Sequence, residues 1–348
     1  MIPDLEIKKG EHPLDAHFRL TQAAFFPVRK VPLFFRGKTR EMAELPRHLG
    51  ILDEEREEIL SVVTRENYEL VTNKEAFDLC LGRIVPAVFP GAKEGDFLCN
   101  GVVMPNSRGF CHMDLCCDAY SPPIPFDDVW MPFIRVTNSY NKTYKLAYKL
   151  GFCNRSSNNR VIFCDRSISL ASVHNLTRAN IERTVAKNFE DMSVFAESFY
   201  HRLLLLQKYY FPRKKMLALF CKAFGRQPAR TGKGEKARRQ YNHAVVAALQ
   251  EFMDDYCGAQ GENAYAAFCV LTAFATSPVS RIAPENEIDR LQSLVGAWTL
   301  DFAMEAASPT FNRDAYLGPE ALTAAREMVA DYNAVEADGE TPRLLALM

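Results

Sequence analysis

Residues 130–173, WMPFIRVTNSYNKTYKLAYKLGFCNRSSNNRVIFCDRSISLASV, carry the clearest repeating pattern in the chain. From Thr143 the residues alternate. Tyr144, Leu146, Tyr148, Leu150 and Phe152 fall on one side, and Thr143, Lys145, Ala147 and Lys149 on the other, the period of a half-buried strand. Residues 133–137 supply a strand before it and residues 161–164 one after. Asn138, Asn141 and the Asn158-Asn159 pair mark the breaks, because Asn tolerates the left-handed conformation and bonds its own backbone. The expectation is an antiparallel meander with one aromatic, buried face. The opposite face would present Lys145 and Lys149, with Lys142 at the adjoining turn. Tyr140, Tyr144 and Tyr148 also recur at helical spacing, so a helix is the competing reading.

Upstream, residues 25–35 read as a strand-forming segment broken by Pro27 and Pro32, which suits an edge strand or an extended arm. Residues 59–64 and 68–72 suggest a hairpin about Arg65-Glu66-Asn67. Asn73 is expected to cap a short helix through Phe77 and Leu81, with Glu75 in its first turn and Pro86 and Pro90 ending it. Residues 96–120 read as further strands, and the proline-rich 121–128 as a connector into the meander.

The apolar period becomes helical after His174. Ile181, Val185, Phe189, Met192, Phe195, Phe199 and Leu203 share one face of a long helix that Pro212 closes. Arg213, Lys214 and Lys215 would follow at its C-terminal end. Residues 225–235, GRQPARTGKGE, have loop composition, and further helices are expected at about 236–257, 262–276, 285–305 and 319–333. Strands first and helices afterwards indicate an α+β protein, mainly β over 1–173 and helical over 174–348, the helices packed on the sheet as one composite domain.

The 348 residues hold 48% hydrophobic and 24% charged residues, an ordinary globular composition. A net charge of -1 excludes whole-molecule attraction to polyanions, so any such contact must come from a local patch. No run of about 18 apolar residues is present to span a bilayer. The acidic, polar N-terminal stretch is unlike a signal peptide, and a cytoplasmic protein with no membrane partner is expected. The ten cysteines then read as reduced thiols, and the sequons at Asn141 and Asn175 as chance.

Several chemistries can be weighed on the residues. Cys99, Cys111, His112, Asp114, Cys116 and Cys117 crowd together in sequence, but there is no CxxC pair, and adjacent Cys116 and Cys117 would point to opposite faces of a strand, so neither metal nor cofactor is expected. The Gly232-Lys233-Gly234 run fails as a phosphate-binding loop: Gln227 stands where the first Gly belongs and Gly234 where Ser or Thr should hold magnesium. His174, with Cys153, Cys164 or the Asn138-Ser139 turn, is a candidate catalytic centre that no signature supports. The strongest signal is electrostatic. Between Lys208 and Arg239 lie Arg213, Lys214, Lys215, Lys222, Arg226, Arg230, Lys233, Lys236 and Arg238, with Glu235 as the only acid. Tyr209, Tyr210 and Phe211 sit beside them. Cations tracking a phosphate backbone and aromatics stacking on bases are how single strands are held, so single-stranded DNA is the expected partner.

In order and spacing, these segments resemble the phage- and plasmid-associated proteins grouped as domain of unknown function 932, over about residues 25–300. ILSVVTRENYELVTNKEAFDLC (59–80) is similar to that family's VLGVVGDRYxVVQNxEAF, and Asn138-Ser139-Tyr140-Asn141-Lys142-Thr143 to its Asn-Ser-His-Asp-Gly-Thr. Ser172-Val173-His174-Asn175 is similar to its Arg-His-Thr segment, and the stretch from Glu262-Asn263-Ala264-Tyr265 to Phe274 to its GTxWxxxNAVTEY helix. Tyr140, Asn141 and Lys142 depart from the family pattern, as does Cys153-Asn154-Arg155-Ser156-Ser157-Asn158 where it has Cys-x-Asn-Gly. The resemblance implies a mobile-element or prophage setting in bacteria and brings no established activity.

Overall fold

The computed structural model describes residues 7–8, 10–36, 41–66, 68–89, 91–117, 128–170, 192–225, 234–277 and 285–337. Contacts divide the chain into two compact units. The first comprises Met1–Pro123, Val129–Cys153 and Phe163–Ala196, and the second Ile124–Asp128, Asn154–Ile162 and Glu197–Met348, an interleaving finer than a single cut at 173.

The first unit opens with helix α1 (Pro13–Ala24), followed by β1 (Val28–Arg36), β2 (Met42–Asp53) and β3 (Glu58–Thr64), which form an antiparallel sheet in the order β1-β2-β3. Pro32 sits on the edge strand, as its missing N–H requires. Residues 68–72 are not a strand. The partner of β3 is β2, a strand the sequence pattern did not reveal because its residues 42–48 are largely exposed and do not alternate.

Helix α2 (Asn73–Leu79) corrects the expected cap by one residue. Thr72 is the N-cap, its hydroxyl accepting from the Glu75 N–H while Glu75 reaches back to the Thr72 N–H. This frees Asn73 for the interior, where its amide donates to the Ala24 carbonyl and its N–H to the Tyr140 hydroxyl. Pro86 does not end the helix. A π turn, Cys80–Ile84, lets the Val85 N–H reach Cys80 O, and a last turn, α3 (Val85–Val88), then accepts Pro86 near its start.

The expected meander is present. Strands β4 (Phe97–Val103), β5 (Phe110–Cys117), β6 (Trp130–Ser139), β7 (Leu146–Asn154) and β8 (Arg160–Leu170) form a five-stranded sheet in sequence order. Every residue of β5 and β6 is buried, so both faces are covered. The polar residues on them must therefore be matched internally. Arg135, fully buried, lies directly opposite Asp114 and donates to both of its carboxylate oxygens at 2.7 Å, while His112 Nδ1 meets Thr137 Oγ1 at 2.9 Å.

Helix α4 (Met192–Lys208), which enters the second unit at Glu197, ends before Pro212, and Arg213–Lys215 form a 3-10 turn leading into α5 (Met216–Phe224). The three cations thus precede a helix start instead of following a helix end. Beyond come α6 (Gly234–Gln260), α7 (Ala264–Thr276), α8 (Glu285–Ala306) and α9 (Arg313–Ala337), the last kinked at Gly318 (φ 77°) and Pro319. Asn263 caps α7 by accepting from the Ala266 N–H. Among the described residues no helix is long and apolar enough to cross a membrane.

Removing one partner of the Asp114–Arg135 pair strands the other charge in the sheet, so Asp114→Ala should cost about 3–5 kcal/mol in urea unfolding. Asp114→Leu combined with Arg135→Met should cost less than either charge-stranding change alone.

Candidate nucleic-acid interface

The sheet does not present the expected basic face. Strand β7 starts at Leu146, three residues later than the alternation suggests, and both Ala147 and Tyr148 are buried. Alternation needs one wet face, and this strand has none. Lys145 is exposed in the connection before the strand, and Lys149 is half-buried and engaged. Lys142 occupies the left-handed region (φ 64°) in a turn built around Asn141, whose Oδ1 accepts from Ser139 Oγ, the Thr143 N–H and Thr143 Oγ1. Its ammonium lies 5.8 Å from the ring of Tyr68, which Lys30 approaches to 5.6 Å. Asn138, expected in a turn, is instead a buried strand residue that donates to Val71 O and Asn73 Oδ1.

Nor do the clustered ligand types form a metal site. Asp114 is committed to Arg135, and Cys99, Cys111, Cys116 and Cys117 are buried thiols, with burial pushing the Cys111 thiol well above its usual range. Among the described residues no group of three or more His, Cys, Asp or Glu is arranged around a possible ion. His174, Arg226, Arg230 and Lys233 lie outside the described residues.

Four described cations of the basic run meet acids. Arg213 pairs with Asp254, Lys215 with Asp314 at 3.1 Å, Arg238 with Asp331 at 3.2 Å, and Arg239 with Glu235 and Asp331. The Lys222 ammonium sits 4.2 Å from the Tyr316 ring centroid. Lys214 is exposed. Among the described residues of the run that looked almost acid-free in sequence, Arg213, Lys215, Arg238 and Arg239 thus meet acids, most of them far along the chain.

Tyr209, Tyr210 and Phe211 part company for a backbone reason. Their segment lies antiparallel to residues 262–264, with the Phe211 N–H bonded to Glu262 O and the Ala264 N–H to Tyr209 O. Extended backbone sends neighbouring side chains to opposite sides. Phe211 is fully buried and Tyr209 packs on Phe302 and Phe311, whereas the Tyr210 side is left 60% exposed. Glu262 accepts the Tyr210 hydroxyl at 3.0 Å, which raises that phenol's pKa, and the Arg313 guanidinium lies 5.3 Å from the ring centroid.

Tyr210 forms one wall of an open groove of about 580 Å³. Leu217, Val246, Leu249 and Met253 give it an apolar floor, and Arg213, Lys214, Gln250 and Glu262 a polar rim. It can hold a flat apolar group against an aromatic ring with cations beside it. No protein-family model, curated protein or solved structure matches this chain. The sequence resemblance to the phage and plasmid family thus rests on the ordered motifs alone.

Tyr210→Ala should leave the thermal midpoint nearly unchanged, within about 0.5 kcal/mol, whereas Phe211→Ala should cost about 3–5 kcal/mol. In the first unit, burial pushes the Tyr68 hydroxyl up to about 12. Because the folded pKa exceeds the unfolded one, the stability tied to neutral Tyr68 should be fully present below about pH 10 and lost as pH rises through about 12, read by alkaline phenolate absorbance with and without Tyr68→Phe.

Proposed function

We propose that the helical unit binds single-stranded nucleic acid along this groove, a base resting against Tyr210 and a flanking phosphate meeting Lys214, with Arg213 beside it held by Asp254. The exposed Tyr210 ring beside the exposed Lys214 is the observation that carries the reading. Stacking is indifferent to sequence because every base has a π face. The ion pairs of the patch, Arg213 with Asp254 among them, narrow the contact to about one phosphate. The proposed setting, replication or recombination of a phage or plasmid, is supported only by the order of the family-like motifs. A second reading, an amphipathic helix of a partner protein seated on Leu217, Val246, Leu249 and Met253, is favoured by the apolar floor.

Fluorescence anisotropy with a labelled oligonucleotide across a salt series separates the two. With about one phosphate engaged by Lys214, log K should fall against log salt with a slope of about −0.7, the value per phosphate for a single strand. Tyr210→Ala should weaken binding by about 1–3 kcal/mol, and Lys214→Glu should weaken it and flatten the slope. Wild-type affinity in both variants, or no binding at low salt, would overturn the single-strand reading.

A further inference from the structure

The three-stranded sheet of the first unit is three strands wide only at its base. Strand β3 pairs with β2 from His48 to Asp53, while Phe34, Phe35 and Arg36 pair with Glu44, Ala43 and Met42, beyond the reach of β3. The distal part is therefore a two-stranded ribbon exposed on both faces. Between the two parts, residues 45–48 of β2 stand against Leu33 alone, a bulge that re-aims the distal ribbon.

This ribbon exposes large apolar side chains: Phe34 is 53% exposed, Phe35 47% and Met42 65%. Bare two-stranded ribbons are marginal in water, so such residues mark a surface that something covers. Two features argue about the occupant. Pro32 interrupts one edge and Pro46 the other, and the bulge breaks the register between them, which disfavours strand addition by a second copy. The charge is also one-sided. Arg29 is held by Glu54 and Lys30 by the Tyr68 carbonyl, while over the distal 34–47 the sequence holds Arg36, Lys38, Arg40 and Arg47 against Glu41 and Glu44. Glu44 is already neutralised by Arg65. Directly opposed residues share a face, so Phe34, Arg36 and Met42 stand together on the face where Glu44 has been cancelled.

We propose that the β1–β2 ribbon is an arm that grips duplex DNA. Two strands about 4.8 Å apart with their side chains fit a major groove about 12 Å wide, and the apolar side chains would be covered against base edges and sugars. Arg36 and Arg47 meet the flanking phosphates. A-form RNA, with its deep and narrow major groove, is a poor fit. The arm lies on a different unit from the groove and takes a different form of nucleic acid, so each assignment can fail alone.

The test uses the whole chain and labelled probes of about two helical turns, one duplex and one single-stranded, by anisotropy at low salt. Arg36 and Arg47 are exposed, so the Arg36→Glu/Arg47→Glu double variant should keep the wild-type thermal midpoint. It should bind the duplex at least about tenfold more weakly and the single strand unchanged, while Lys214→Glu does the reverse. Wild-type duplex affinity in the double variant overturns the arm, as does the absence of duplex binding by the unmodified chain. Sedimentation velocity on Phe34→Ser/Phe35→Ser provides an independent check: loss of a self-associated form with duplex affinity intact would overturn the arm and assign the ribbon to contacts between copies.

Discussion

The fully buried guanidinium of Arg135, held by both oxygens of Asp114, is the interaction on which the first unit depends. Two covered faces leave a sheet no water with which to satisfy polar side chains, and an unpaired charge there would cost several kcal/mol. Direct cross-strand placement solves this for Asp114 with Arg135 and for His112 with Thr137. The same requirement recruits Asn73 and Asn138, which bond each other, Asn73 closing the end of α1 at Ala24 O and Asn138 meeting Val71 O ahead of α2. Residues that look like chemistry in sequence are thus consumed by structure.

Neutralisation follows the same rule in the second unit, with acids drawn from far along the chain. Asp254, Asp314 and Asp331 meet Arg213, Lys215 and Arg238, so a local charge count overstates the field that a polyanion would feel. A small site survives, in which one aromatic ring and its neighbouring cations edge an apolar groove. Fewer phosphates in contact mean weaker salt dependence and a larger share of affinity from stacking.

The ribbon presents the opposite arrangement. There, Arg65 takes up Glu44, the acid on the same face as Arg36, so pairing increases the contrast between cation and apolar side chain. Edge prolines are compatible with this use, since they stop strand addition without covering the faces.

By itself, the sequence determined the α+β order, the antiparallel meander through residues 133–164, the edge character of the Pro32 segment and the boundaries of most C-terminal helices. Each is written in short-range periodicity or in proline, whose backbone limits act wherever it stands. The cap at Thr72, one residue before the expected Asn73, was within reach of the Thr-x-x-Glu pattern. Tertiary structure decided the rest. It placed β2 beside β3, buried both faces of β7 where alternation suggested one wet face, and set Tyr210 outward and Phe211 inward. It also decided which cations find acids, because pairing depends on residues tens of positions apart meeting in space, a distance over which no local pattern carries information.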